Sequence, residues 1–176
     1  MIPAFEATGF LPRGRFCATA QEVENALVKS ADFSASATRD AVWSDFLLVV
    51  DSIRRKRARL PAAFLGGSFV TNAMDPDDVD AAILIDTSRI TSPGTLTAVR
   101  QIVSDPKAQG LRVDAFLIQW HPNGTEDGGD PTYLYSRGKW DDFWQRHVPK
   151  ADRQPPQRQH AMPVRGYLEV ILDGYV

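Results

Sequence analysis

The chain is poor in the residues that build cofactor and metal sites by themselves. It has one cysteine, Cys17, and three histidines, His121, His147 and His160, in 176 residues. A lone cysteine forms no internal disulfide, so a reducing, cytoplasmic interior is the expected setting. The histidines share no metal-ligand spacing. No apolar run approaches the roughly 18 residues that span a bilayer. Glu6 within the first ten residues, with no basic cluster ahead of it, argues against a signal peptide. The net charge of −2 excludes a general electrostatic footprint for nucleic acid. No Gly-Lys-Ser/Thr closes a P-loop, and Gly66-Gly67-Ser68-Phe69-Val70 lacks the second glycine of a nucleophile elbow. What is present is ordinary for one globular domain: 43% hydrophobic and 24% charged residues.

Chemistry concentrates in residues 66–80, Gly-Gly-Ser-Phe-Val-Thr-Asn-Ala-Met-Asp-Pro-Asp-Asp-Val-Asp. A Gly-Ser pair closes the apolar run Ala62–Leu65. Asp78-Val79-Asp80 then opens a second apolar run, Ala81–Ile85. Side chains alternate along a strand, so Asp78 and Asp80 share a face about 6–7 Å apart, where burial worsens their repulsion. A divalent cation between them removes that cost, and Mg²⁺ favours one or two carboxylates plus substrate phosphates. The tight turn at Gly67-Ser68 offers backbone N–H groups and a hydroxyl to an anion. Arg112–Ile118 is a third strand-like run, and its lone acid, Asp114, completes a three-carboxylate cluster if that strand lies beside the first. Asp75 and Asp77 read as turn residues, whereas Asp80, inside an apolar stretch, requires a partner. Arg112 is a candidate structural partner for such an acid. Ser68 also reads as a helix N-cap, a reading compatible with anion binding.

This order of Gly-Ser, Asp-hydrophobic-Asp and a later lone Asp resembles the nucleotidyltransferase superfamily that includes DNA polymerase beta and the minimal nucleotidyltransferases of bacteria. The likeness covers roughly residues 60–120. A looser one extends to Leu11–Arg15, Ala18–Val23, Gly67–Thr71 and Arg165–Val170, which resemble small uncharacterised bacterial nucleotidyltransferase-like proteins with a Gly-Ser-Phe-Val-Thr motif. The resemblance implies an α/β (α+β) fold, a mixed sheet flanked by helices. It implies transfer of a nucleoside monophosphate from a nucleoside triphosphate such as ATP, with Mg²⁺ or Mn²⁺. Asp78, Asp80 and Asp114 would be the catalytic and metal residues, with Gly67 and Ser68 on the phosphates. The acceptor would be a protein, an RNA or a small molecule, and a toxin–antitoxin or phage-defence setting fits by analogy of fold. Such proteins often carry Lys near the positions of Ala73 and Arg165, so Arg165 or the basic helix end becomes the substitute cation. The competing expectations are an inactive, antitoxin-like binding module that sequesters a partner, and an RNA-processing partner using Arg54–Arg59.

The remaining pattern suggests one domain over 1–176: a helical region at about 18–60, a core at about 61–120 and an extension at about 131–176. Thr19-Ala20-Gln21-Glu22 is a capping box. Val42, Phe46, Val49, Val50 and Ile53 predict a helix over about 37–60, its basic end read as a solvated last turn. Further helices are expected over 91–103 and 138–147, and strands over 64–67, 78–86, 111–120 and 167–172. Residues 121–130 read as a loop and 149–160 as a Pro-rich linker. Trp140, Phe143 and Trp144 read as core.

Overall fold

The structure, a computed structural model, describes residues 1–122, 131–149, 154–155 and 157–175. Five strands form one mixed sheet: β1 (Gly14–Thr19), β2 (Ala62–Gly66), β3 (Val79–Asp86), β4 (Val113–Trp120) and β5 (Gly166–Ile171), in the order β1-β5-β2-β3-β4. β1 runs parallel to β5 and β3 parallel to β4, while β2 is antiparallel to both of its neighbours. The α/β architecture with a mixed sheet is therefore as expected from the sequence. β1 is not among the expected strands, yet Gly14 to Thr19 pair with the far end of the chain. The sheet thus reaches beyond residues 61–120 on one side, where β5 and then β1 follow β2.

Four helices cover the two faces: α1 (Ala20–Val23, continuing as a π-helical turn to Val28), α2 (Arg39–Arg54), α3 (Pro93–Ser104) and α4 (Pro131–Gln145). The strand period of two sorts the sheet's side chains between them. Ala63, Leu65, Val79, Ala81, Ile83 and Val113 pack on α1, α2 and α3. Phe64, Ala82, Leu84, Ile118 and Tyr167 pack on Tyr133, Trp140 and Trp144 of α4. β2 and β3 are apolar on both faces because both are covered.

Helix ends follow local chemistry. The Thr19–Glu22 capping box forms as read: Thr19 Oγ1 accepts from Glu22 N at 3.1 Å, and Thr19 N donates to Glu22 Oε2 at 2.8 Å. α2 stops at Arg54, six residues short of the expected end, and Arg57 adopts a positive φ of 60°. Its basic terminus is tied down in part. Arg54 pairs with Asp173 at 2.6 Å, and Arg59 donates to the carbonyls of Asp173 and Gly174. α4 begins at Pro131, seven residues earlier than expected. Of its aromatic residues Trp140 and Trp144 are core, but Phe143 is 51% exposed. The expected loop over 121–130 lies largely outside the described residues. Within the expected linker, Arg158–Ala161 forms a 3-10 turn.

The largest departure from sequence expectation is Arg39, the first residue of α2, which is 1% exposed. It has no carboxylate partner at ion-pair distance among the described residues. Its Nη1 donates to the carbonyls of Leu27 (3.0 Å) and Phe69 (2.9 Å). Nη2 donates to those of Thr71 (2.7 Å) and Ala73 (2.6 Å). The guanidinium lies 3.7 Å from the centre of the Phe33 ring. Burial drives its pKa down to about 10, so it stays charged at neutral pH. Arg39→Met keeps the bulk and strands four carbonyls. It is expected to destabilise the fold by at least about 3 kcal/mol, read by urea denaturation at neutral pH. A loss below about 1 kcal/mol would show that water replaces the guanidinium.

Candidate functional site

The chain's fold brings its key carboxylates to one end of one sheet face. Asp80 is paired in register with Asp114 on the parallel neighbour β4 and with Gly66 on β2. Residues paired in register project to the same side, so Asp80 and Asp114 share the α4 face, and Asp78 precedes Asp80 by one strand period. The expectation that Asp114 stands beside the Asp78–Asp80 pair is therefore met.

What holds these acids differs from the expectation. Lys107, in the 3-10 turn Lys107–Gln109 ahead of β4, places Nζ 2.6 Å from Asp78 Oδ2 and 2.6 Å from Asp114 Oδ2. The two carboxylates raise the lysine pKa by hydrogen bonding. Arg112, the partner suggested by sequence, instead offers its backbone N–H to Asp45 at 3.0 Å. Lys107 was missed because it lies seven residues from Asp114 with a turn between. The signal was in the topology: parallel β3 and β4 start at the same end of the sheet, so the turn feeding β4 must pass beside Asp78.

Asp80 has no hydrogen-bond or ion-pair partner among the described residues. Its carboxyl is pushed up to about 6, first by burial and then by the charges of Asp78 and Asp114, with Arg165 and Lys107 acting against them. Arg165 is half-buried; its Nε donates to Trp144 O at 3.0 Å. Burial lowers the Arg165 pKa, and the field of Asp80 opposes that shift.

Gly67 makes this geometry possible. Its φ is +72°, and a Cβ there would fall 1.8 Å from Asp80 Oδ2, so the turn passes directly over the carboxylate. Only glycine allows both the conformation and the approach. Ser68 follows as the first residue of a 3-10 turn, Ser68–Val70, and its side chain is exposed and caps nothing, which corrects its reading as an N-cap. Its carbonyl accepts from the Thr71 hydroxyl at 2.7 Å. The turn is fixed from below by Arg39, through Phe69 O and Thr71 O.

As they stand, no three His, Cys, Asp or Glu side chains among the described residues are grouped closely enough to hold a metal ion. The donor set nevertheless fits a hard cation. Its oxygens are all carboxylate, the Lys107 ammonium already occupies a cationic position between Asp78 and Asp114, and Asp80 has no ion-pair partner among the described residues. Arg59 with Asp86, and Arg15 with Glu169, are buried or half-buried pairs elsewhere that leave no such residue of charge.

The fold is that of a small α/β protein, a mixed sheet with acids gathered at one strand end and a glycine turn over one of them. The chain belongs to a family of unknown function, DUF6932, whose model matches residues 3–171. Comparison with curated proteins and with solved structures finds no match.

Because the folded Asp80 titrates above its unfolded value of 3.8, its ionisation opposes folding. That cost is absent below the unfolded pKa, grows as pH rises and is complete above about 6. Asp80→Asn is therefore expected to stabilise the cation-free protein at pH 7.5 by about 1–3 kcal/mol. The gain should fade as pH falls towards 4, in thermal unfolding with chelator present. A mutant less stable than wild type at pH 7.5 would make Asp80 a structural residue.

Proposed function

We infer that this chain is a nucleotidyltransferase-type protein whose Asp78, Asp80 and Asp114 face a nucleoside triphosphate. The observation that carries the reading is Asp80: a mostly buried carboxyl, without a partner, roofed by a glycine turn and flanked by two more acids. A structural acid in such a place is paired; an acid kept unpaired against a cost of this size marks a functional site. Loss of that cost on binding a cation gives Asp80 its reason.

Asp78, Asp80 and Asp114 would hold Mg²⁺ or Mn²⁺. Bound there, the ion supplies charge neutralisation to the phosphate oxygens. The Gly67-Ser68 turn, with its exposed hydroxyl, binds the outer phosphates. Lys107 leaves Asp114 to them and adds a positive charge. Asp114 orients the acceptor hydroxyl and takes its proton. The hydroxyl oxygen attacks the α-phosphorus, the bond from that phosphorus to the bridging oxygen of the β-phosphate breaks, and pyrophosphate leaves. The acceptor is a protein, RNA or small-molecule hydroxyl.

One observation favours a second reading. The Lys107 ammonium bridges Asp78 and Asp114, where a bound cation would otherwise sit. A chain that keeps this bridge permanently would be an inactive, nucleotidyltransferase-like module that binds a partner.

Incubation with labelled nucleoside triphosphates and Mg²⁺ or Mn²⁺ separates them. The transferase releases pyrophosphate and labels itself or an added acceptor, and Asp78→Asn or Asp114→Asn lowers the rate by a factor of 100 or more, on the order expected for loss of a charge-stabilising or proton-accepting group. Absence of any turnover with all four triphosphates, together with no thermal shift by them, would leave the binding module.

A further inference from the structure

Next to the acidic face lies a second feature that the transferase reading does not use. A cavity of about 640 Å³ opens where α4 ends, between the 3-10 turn Arg158–Ala161 and the residue that leads into β5. Its walls include Phe143, Arg146, His147, Val148, His160 and Arg165, and among the described residues no carboxylate lines it. The volume is in the range of small-ligand pockets.

Three details give the cavity a chemical preference. First, Arg146 has its Nε buried with no hydrogen-bond partner among the described residues, although Asp142 one turn back pairs with its terminal nitrogen. A buried donor without an acceptor is rare and calls for one. Second, His160 Nδ1 accepts from Gln157 N at 3.3 Å, so the neutral ring carries its proton on Nε2, a second donor. Arg165, held at Nε by the Trp144 carbonyl, has no carboxylate within ion-pair distance among the described residues. Third, Phe143 is 51% exposed but not loose: its ring packs edge-on against Trp140 and Trp144 with centroids 5.7 and 5.1 Å apart. A fixed, exposed aromatic ring beside cationic donors matches a ligand with a flat ring at one end and a phosphate at the other.

We propose that this cavity binds a phosphorylated nucleoside, the phosphate on Arg146 and Arg165 and the base against Phe143. Arg165 ties it to the acidic face, since the same side chain lines the cavity and lies in the field of Asp80. That the bound nucleotide is the donor of the reaction rests on the transferase reading; the cavity's affinity for it does not.

The test is calorimetric titration of the full chain with AMP, adenosine and inorganic tripolyphosphate, in excess chelator. AMP is expected to bind, and adenosine and tripolyphosphate each at least about tenfold more weakly, since each lacks one of the two contacts. Arg146→Gln and Phe143→Ala, neither of them in the interior, should each weaken AMP by about tenfold. Absence of AMP binding, or equal binding by wild type and both variants, overturns the proposal. Tripolyphosphate binding as tightly as AMP overturns the base contact and with it the nucleoside assignment. If AMP binds as expected and no nucleotide is ever transferred, the cavity stands and the transferase reading falls. If transfer occurs and both variants bind and turn over like wild type, the cavity falls and the transferase reading stands.

Discussion

The buried Arg39 is the interaction on which the acidic face depends. Its guanidinium gathers the carbonyls of Leu27, Phe69, Thr71 and Ala73, which belong to segments far apart in sequence. Three of the four lie in the turn that leaves β2 and carries Gly67 and Ser68. Among the described residues, that turn has no strand partner of its own beyond an isolated bridge between Phe10 and Thr71. Without a buried cation its carbonyls would seek water and the backbone would loosen. With it, Gly67 is held over Asp80 at a distance that no other residue type tolerates. Asp75 accepts from Ala37 N at 2.7 Å and so pins the loop's far end to the start of α2.

The second constraint is electrostatic. Three acids at one strand end are a cost that the fold meets only in part. Lys107 bridges Asp78 and Asp114 and offsets one of their two charges, and Asp80 keeps an elevated pKa. The pair formed by Lys107 is solvent-accessible, with 46% of the lysine side chain exposed, and such pairs contribute little to stability. A bridge this weak is replaceable by a stronger cation or by a ligand. It is the element through which the empty and the loaded face would differ.

Much of this was readable in the chain. The apolar runs 62–65 and 81–85 marked the inner strands β2 and β3, residues 112–118 marked the edge strand β4, and Asp80 at the head of the second run marked the candidate site. Asp114 was expected beside Asp80 if its strand lay next to the first, and the parallel β3–β4 pairing puts the two in register. What was not readable came from contacts between distant segments. β1 is a strand because its partner β5 lies about 150 residues on, and its own sequence, Gly-Arg-Phe-Cys-Ala-Thr, has no strong alternation. Arg39 has the look of a surface residue at a helix start; only the loop wrapping over it makes it core. Lys107 stands in a polar turn with no local sign of its partners. Phe143 read as helix core, yet its ring lies on the edge of the Trp140–Trp144 cluster and is 51% exposed.

The central claim is that the Asp78–Asp80–Asp114 face receives a cation and a phosphate under the Gly67 turn. A crystal structure of the protein with Mn²⁺ and a non-hydrolysable nucleoside triphosphate, read by manganese anomalous scattering, tests it most directly. The expected map has a manganese peak within coordination distance of Asp78, Asp80 and Asp114, phosphate density against Ser68, and Lys107 turned from Asp114 towards the phosphates. A map at saturating ligand with no manganese peak there, and Lys107 still bridging Asp78 and Asp114, would contradict it.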